Sequence, residues 1–202
     1  GELLATRAGA DADGQARRFV ALAAYERFAR ALGKVVRHEA DAGDDLAGSL
    51  HADPPDTLDK LLARAPEPTV RDVAALLAMA RAEWGWLRGA PFVPNPRFPL
   101  SARLGGADAD WVLGGTLYEC KVSFRERPVE RRHVLQLLGY LLLDRDDALG
   151  IAGVGFILPR QRAVIRRSVP SFLRGLGLPD DLPALRARFA AVVEALSPDT
   201  VR

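Results

Sequence analysis

Cysteine is almost absent from the 202-residue chain: Cys120 stands alone, so no disulfide can form within it, and the reducing cytoplasm is the expected compartment. Three histidines, His38, His51 and His133, lie far apart and share no zinc-ligand spacing with that cysteine. Long apolar runs are missing too. The greasiest stretch, residues 134–143, is broken by Gln136 and falls short of the roughly 18 residues a membrane span needs, so no membrane partner is expected. The first 14 residues have neither a basic start nor an apolar centre and do not read as a secretory signal. No Gly-Lys-Ser/Thr phosphate loop occurs, which argues against a nucleotide enzyme. Lysine is scarce, at 3 residues against 25 arginines. With so much alanine, that imbalance points to a high-GC coding bias. Arginine number therefore carries little weight, whereas each lysine carries more.

What remains is a globular composition, 49% hydrophobic and 27% charged, with a net charge of +2. The length suits one domain with a helical appendage. Residues 15–32 read as a helix ended by Gly33, with Phe19, Leu22, Tyr25, Ala29 and Leu32 on one stripe. Residues 41–55 are polar and read as loop, and 57–64 as a short helix with Leu58, Leu61 and Leu62 facing in. A helix over 69–87 is signalled by a capping box, Thr69 with Asp72, and by Val70, Val73, Leu77, Ala80, Trp84 and Leu87 at helical spacing.

Four prolines between Gly89 and Pro99 forbid a helix there. The period then changes to two. Strands are expected over 100–104, 108–113 and 116–123, the last two joined by a tight Gly114-Gly115 turn. Pro128 is placed to open a helix whose apolar face is Val134, Leu135, Leu138, Leu141 and Leu142. A buried strand over 151–158, a further strand over 162–167 and an amphipathic helix over 184–196 complete the chain. The order calls for an α/β layering, a mixed sheet between helices. The expected organisation is a helical N-terminal extension (1–68), a core (69–168) and a C-terminal helical segment packed on it (169–202).

Alternation in the strand over 116–123 puts Leu117, Glu119, Lys121 and Ser123 on one face, and Tyr118, Cys120 and Val122 on the other, expected to be core. Across the hairpin, Asp108 and Asp110 share a face. Random placement of 26 acidic residues and 3 lysines yields about 0.4 acidic-x-Lys triplets per chain, so Glu119-Cys120-Lys121 is informative only in context. Converging carboxylates repel one another, and a divalent cation relieves that cost. Mg²⁺, which keeps several of its waters, needs only one or two carboxylates and a backbone carbonyl. Such an ion would polarise a phosphodiester, and Lys121 would orient water and offset the growing charge. The competing reading is the wet face of an ordinary antiparallel sheet, on which Glu and Lys commonly alternate.

Asp110, followed nine positions later by Glu119-x-Lys121, resembles the signature of the PD-(D/E)XK nuclease superfamily. Gln136-Leu-Leu-Gly-Tyr140 resembles the Gln-x-x-x-Tyr element of its RecB-like branch, and GGADADWVLGGTLYECKVS, QLLGYLLLD and VGFILPRQ are similar to a group of bacterial proteins of that kind. The likeness covers about a third of the chain, residues 95–161, and Ala109 stands where the signature has Pro. It implies a restriction-endonuclease-like fold, a four-stranded mixed sheet flanked by helices with an αβββαβ core. It also implies a Mg²⁺- or Mn²⁺-dependent nuclease that cuts DNA in phage defence, restriction or repair. Asp110 and Glu119 would be metal ligands and the Cys120 carbonyl a further one, with Asp108 ranked second to Asp110. Lys121 would be the catalytic lysine. Gln136 would order the metal–water network, and Tyr140 would brace the site or contact the nucleic-acid backbone.

Weaker signals surround this core. Glu83, near a helix end, could supply another acid but reads first as an exposed residue, and His133 as part of a surface pair. Arg125, Arg127, Arg131 and Arg132, and also Arg160, Arg162, Arg166 and Arg167, form basic clusters that would neutralise phosphates. Trp84 and Trp86 could stack bases but suit core packing better. The alternative to an enzyme is a catalytically silent protein with the same fold that binds nucleic acid, a protein partner or a second copy of itself.

Overall fold

The structure, a computed structural model, describes residues 12–35, 55–104 and 106–196, with the backbone alone over 28–35. The expected loop over 41–55 lies outside the described residues except for Pro55, as do the side chains of Ala29 and Leu32. Two compact units divide the chain, Gly1–Trp84 and Gly85–Arg202. No helix among the described residues is long and apolar enough to cross a membrane.

The first unit holds α1 (Ala12–Val35), α2 (Leu58–Ala63) and α3 (Glu67–Glu83). The buried stripe of α1 is Ala16, Val20 and Ala24 with Ala21, whereas the expected anchors Phe19 and Tyr25 are 39% and 50% exposed. Small side chains let α1 pack against Val70 and Ala74 of α3, and the rings stay outside. Gly33 does not end α1, which continues to Val35. The expected capping box of α3 is absent. That helix starts earlier, after Pro66, with no side-chain cap, so Thr69 and Asp72 lie within its first turns. It also stops at Glu83, and Gly85–Leu87 forms a separate 3₁₀ turn. Its contacts with α1 group α3 with the N-terminal helices, so the division falls at Trp84 rather than at residue 68.

The second unit is α/β, built on one five-stranded mixed sheet in the order β1-β2-β3-β4-β5: β1 (Phe92–Pro94), β2 (Trp111–Leu113), β3 (Thr116–Cys120), β4 (Gly153–Leu158) and β5 (Ala163–Ser168). β3 and β4 run parallel, joined through α4 (Arg131–Leu143), and every other pairing is antiparallel. α5 (Val169–Gly175) and α6 (Leu182–Ala195) follow.

Two departures from the sequence expectation change the sheet's start. Residues 100–104 are no strand but belong to a 3₁₀ turn, Pro99–Leu104. The first strand lies instead inside the proline-rich stretch. As an edge strand, β1 tolerates Pro94, whose missing N–H costs no ladder bond on the open side. The hairpin between β2 and β3 turns on Gly114 and Gly115, with φ of 53° and 70°, as a two-residue turn with both φ positive requires.

The main core lies between one sheet face and α4 to α6. Val112, Leu117, Val154 and Phe156 of the sheet meet Leu137, Tyr140 and Leu141 of α4, with Val169 and Leu173 of α5 in the same cluster. The apolar face expected on α4 is thus rotated: Leu137 and Tyr140 are buried, and Leu135 is 48% exposed. Nor does Pro128 open α4, whose N-cap is Glu130. On the other sheet face, Tyr118 packs on Trp86 with ring centroids 5.9 Å apart. Gly155 leaves room for that tyrosine, because a Cβ there would sit 2.7 Å from its ring. The expectation that Val122 joins a core on this side fails: pairing ends at Cys120, and Val122 is 54% exposed.

α6 is secured to the end of α4 by a charge cluster that the hydrophobic pattern does not reveal. Arg186 donates to Asp144 Oδ2 (3.2 Å), Asp147 Oδ1 (2.8 Å) and the Leu141 carbonyl (3.1 Å). Arg186 and Asp144 side chains are each only 4% exposed. Removing one partner strands a buried charge, so Arg186→Ala should lower unfolding stability by about 3–5 kcal/mol in urea titrations. A loss of well under about 1 kcal/mol would mean that the pair adds nothing to the packing of α6.

Candidate active site

The site forms where β2, β3 and α4 converge at one end of the core. Extending the pairing of Val112 with Leu117 places Asp110 opposite Glu119 on the α4 side of the sheet. Asp110 is held there by a hydrogen bond from the Cys120 N–H to its Oδ2, at 2.6 Å. In a strand the N–H and C=O of one residue point the same way, so the Cys120 carbonyl is directed toward the Asp110 side.

Glu119 is 5% exposed, which excludes the wet-face reading of this strand. Lys121, two residues on and half-buried, donates to Glu119 Oε1 at 2.7 Å and to Gln136 Oε1 at 3.3 Å. Gln136 in turn donates through Nε2 to Tyr140 Oη at 2.7 Å, and the Tyr140 ring stacks on Phe98 at 5.7 Å. A continuous chain of hydrogen bonds thus runs from β3 into α4. The second oxygen of Glu119, Oε2, is buried and has no hydrogen-bond partner.

Burial is the main cause that raises the Glu119 pKa above its ordinary value. The hydrogen bond from Lys121 opposes it, and the charge of Asp110 adds to it. Burial also pushes the Cys120 thiol up to about 12, helped by Asp110 and Glu119, so this sulfur stays protonated at neutral pH. Tyr140 is raised for the same leading reason, with Gln136 opposing and Glu119, Asp110 and Asp108 adding.

A cleft of about 330 Å³ opens beside Lys121, lined also by Cys120, Ser123, Arg125, Glu130 and His133. Burial leads in lowering the His133 pKa, followed by the charges of Lys121 and Arg132, and its Nδ1 accepts from the Glu130 N–H at 3.1 Å at the start of α4. A neutral imidazole that caps a helix is the role this geometry describes.

The structure therefore brings together Asp110, Glu119, Lys121, Gln136 and Tyr140. It does not draw in Asp108, which is exposed and forms an isolated β-bridge with Arg97. No group of three His, Cys, Asp or Glu side chains suited to a metal occurs among the described residues, so a cation here would rest on two carboxylates and the backbone. Glu83 ends α3 in the first unit and is exposed. Of the basic cluster, Arg125 and Arg132 both pair with Glu130, at 2.5 and 3.1 Å, whereas Arg127 and Arg131 are exposed. Arg166 and Arg167 are exposed along β5, as is Arg162 just before it. Trp84 is buried, and Trp86 covers Tyr118.

Sequence reasoning gave no role to Gln161, Phe124 or Phe98. Gln161 binds two loop carbonyls beside the cleft, those of Ser123 and Arg125. No spacing rule flags such contacts, though the abrupt apolar Phe124 in a charged loop was a visible signal. No family model matches the chain, and neither do any curated proteins or solved structures.

Because the folded chain raises the Glu119 pKa, it holds that proton more tightly than the unfolded chain does. The stability this contributes is fully present below the ordinary Glu value and is lost as pH rises through the raised one. In metal-free buffer Glu119→Gln should therefore melt above the parent at neutral pH, and the gap should close near pH 4, below about the ordinary Glu value. Parallel melting curves for the two proteins across this range would contradict that account.

Proposed function

We propose that the second unit is a metal-dependent nuclease of the PD-(D/E)XK type, hydrolysing phosphodiester bonds of DNA with Mg²⁺ or Mn²⁺. The observation that carries this reading is Glu119: one oxygen neutralised by Lys121, the other buried without a partner, with Asp110 opposite. A buried oxygen left unpaired is costly, and a hard cation is what this donor set fits. Asp110, Glu119 and the Cys120 carbonyl would hold the ion, which when bound would supply Lewis-acid polarisation of a phosphate.

The remaining work falls to the chain's own groups. Lys121, fixed between Glu119 and Gln136, presents an ammonium that can orient an attacking water and offset charge in the transition state. Gln136 and Tyr140 hold that ammonium in place from α4. The mixed sheet crossed by α4 between β3 and β4 is compatible with the restriction-endonuclease-like core, extended here by β5.

Two measurements test the reading. Saturating Mg²⁺ or Mn²⁺ should raise Tm, since about 2.7 kcal/mol accrues at a hundredfold excess over Kd. Asp110→Asn should lose most of that gain, and an equal shift in the variant would place the ions elsewhere. Lys121→Ala should cut plasmid, linear duplex or single-stranded DNA at least about 100-fold more slowly than the parent. The metal-induced Tm shift should survive in that variant, because the ligands remain. A parental cleavage rate in Lys121→Ala would remove the lysine from the chemistry. Complete absence of metal-dependent cleavage in the parent would favour the catalytically silent binding protein.

A further inference from the structure

Phe124 is the most exposed large apolar side chain among the described residues, at 86%. It lies three positions after Lys121 and between Ser123 and Arg125, both of which line the cleft. A single exposed hydrophobe is ordinary on a protein surface. This one is held from both sides. The Gln161 side-chain N–H₂ donates to the Ser123 carbonyl at 2.8 Å and to the Arg125 carbonyl at 2.9 Å, bracketing Phe124. Within the loop, Arg125 N–H also donates to Ser123 Oγ at 3.2 Å. The Arg160 guanidinium lies 3.7 Å from the ring centroid, backing one face and leaving the ring's other side to solvent.

Both clamps come from one short 3₁₀ turn, Pro159–Gln161, directly after β4. β4 is hydrogen-bonded to β3, which carries Glu119, so the ring is referenced to the carboxylates through the sheet itself. An aromatic ring with a cation beneath it, a bare face above, and exposed Arg127 and Arg131 nearby has the elements of a base-stacking shelf. Every base has a π-face, but inside a duplex both faces are already covered by neighbours, whereas unpaired nucleotides offer one along the whole strand.

We propose that Phe124 is a stacking platform for an unpaired base, and that the substrate is single-stranded nucleic acid whose backbone enters the cleft beside Lys121. The proposal rests on the nuclease reading and narrows its substrate. Phe124 sets where a strand lies and takes no part in bond cleavage, and Gln161 is the residue that positions it.

The test uses the full chain in EDTA, where nothing is cut, with fluorescently labelled single-stranded DNA, its RNA counterpart and the blunt duplex of the same sequence. The parent should bind single strands more tightly than duplex. Phe124→Ala should weaken single-strand binding about 5- to 100-fold and leave duplex binding unchanged, and Phe124→Trp should restore it. A 2-aminopurine in the strand should lose fluorescence on binding the parent but not Phe124→Ala. The DNA and RNA arms identify the sugar, since the stacking chemistry is common to both. Equal single-strand affinity in Phe124→Ala and the parent overturns the proposal, as does an equal loss on duplex. No single-strand binding by the parent also overturns it, and would be the result if the ring docks a protein. Strand binding through Phe124 without Mg²⁺-dependent cleavage would sink the nuclease reading alone. Cleavage with unaltered strand binding in Phe124→Ala would sink the platform alone.

Discussion

A carboxylate buried at the end of a hydrophobic core is the constraint around which the second unit is arranged. Glu119 is 5% exposed, and burying a charge without compensation is prohibitively costly. Lys121 supplies the compensation from the same strand, because alternate residues share a face. An ammonium so placed must itself be held, and Gln136 does this from α4, with Tyr140 behind it. That requirement accounts for the rotation of α4. Its buried side carries Tyr140 beside Leu137 and Leu141, and the greasier-looking Leu135 faces out. The hairpin register follows likewise. A shift of one residue would turn Asp110 to the opposite face, away from Glu119.

Much of this was legible in the chain. The alternation over 108–113 and 116–120, the Gly-Gly turn and the acidic-x-Lys triplet are local signals, and local signals survive folding. The strand β1 was hidden because prolines mark edge strands and loops alike, and Pro99–Leu104 was misread because alternation over five residues also fits a 3₁₀ turn. Facing was harder still. Tyr118, Cys120 and Val122 look apolar, yet the main core lies under Leu117 and Glu119, since three helices contribute to the core on that side. In α1, size misled: the rings of Phe19 and Tyr25 have the bulk of natural anchors, but alanines allow the closer helix contact. The Arg186–Asp144 pair had no signature, because its partners are 42 residues apart and neither sits in a motif.

The basic residues divide into groups with different electrostatic value. Glu130 caps α4 and also pairs with Arg125 and Arg132, so both arginines that line the cleft are already partly neutralised. Their field is weaker than a count suggests, and it is oriented, because a paired guanidinium keeps a fixed position. Arg127 and Arg131, which do not line the cleft, are exposed. The cleft beside Lys121 thus has a mixed-charge rim and not a uniform positive one.

β5 closes the sheet as an edge strand, and it exposes Val164 and Ile165 at 36% and 43%. An open edge of this kind is a template for a strand from another molecule, the first step of edge-to-edge aggregation. Arg162, Arg166 and Arg167 lie along the same edge, so a second copy laid antiparallel against it would bring like charges face to face. Such repulsion opposes that pairing and is largely screened beyond about 8 Å at physiological salt. Edge-to-edge pairing at this border of the sheet is therefore opposed most strongly at low ionic strength.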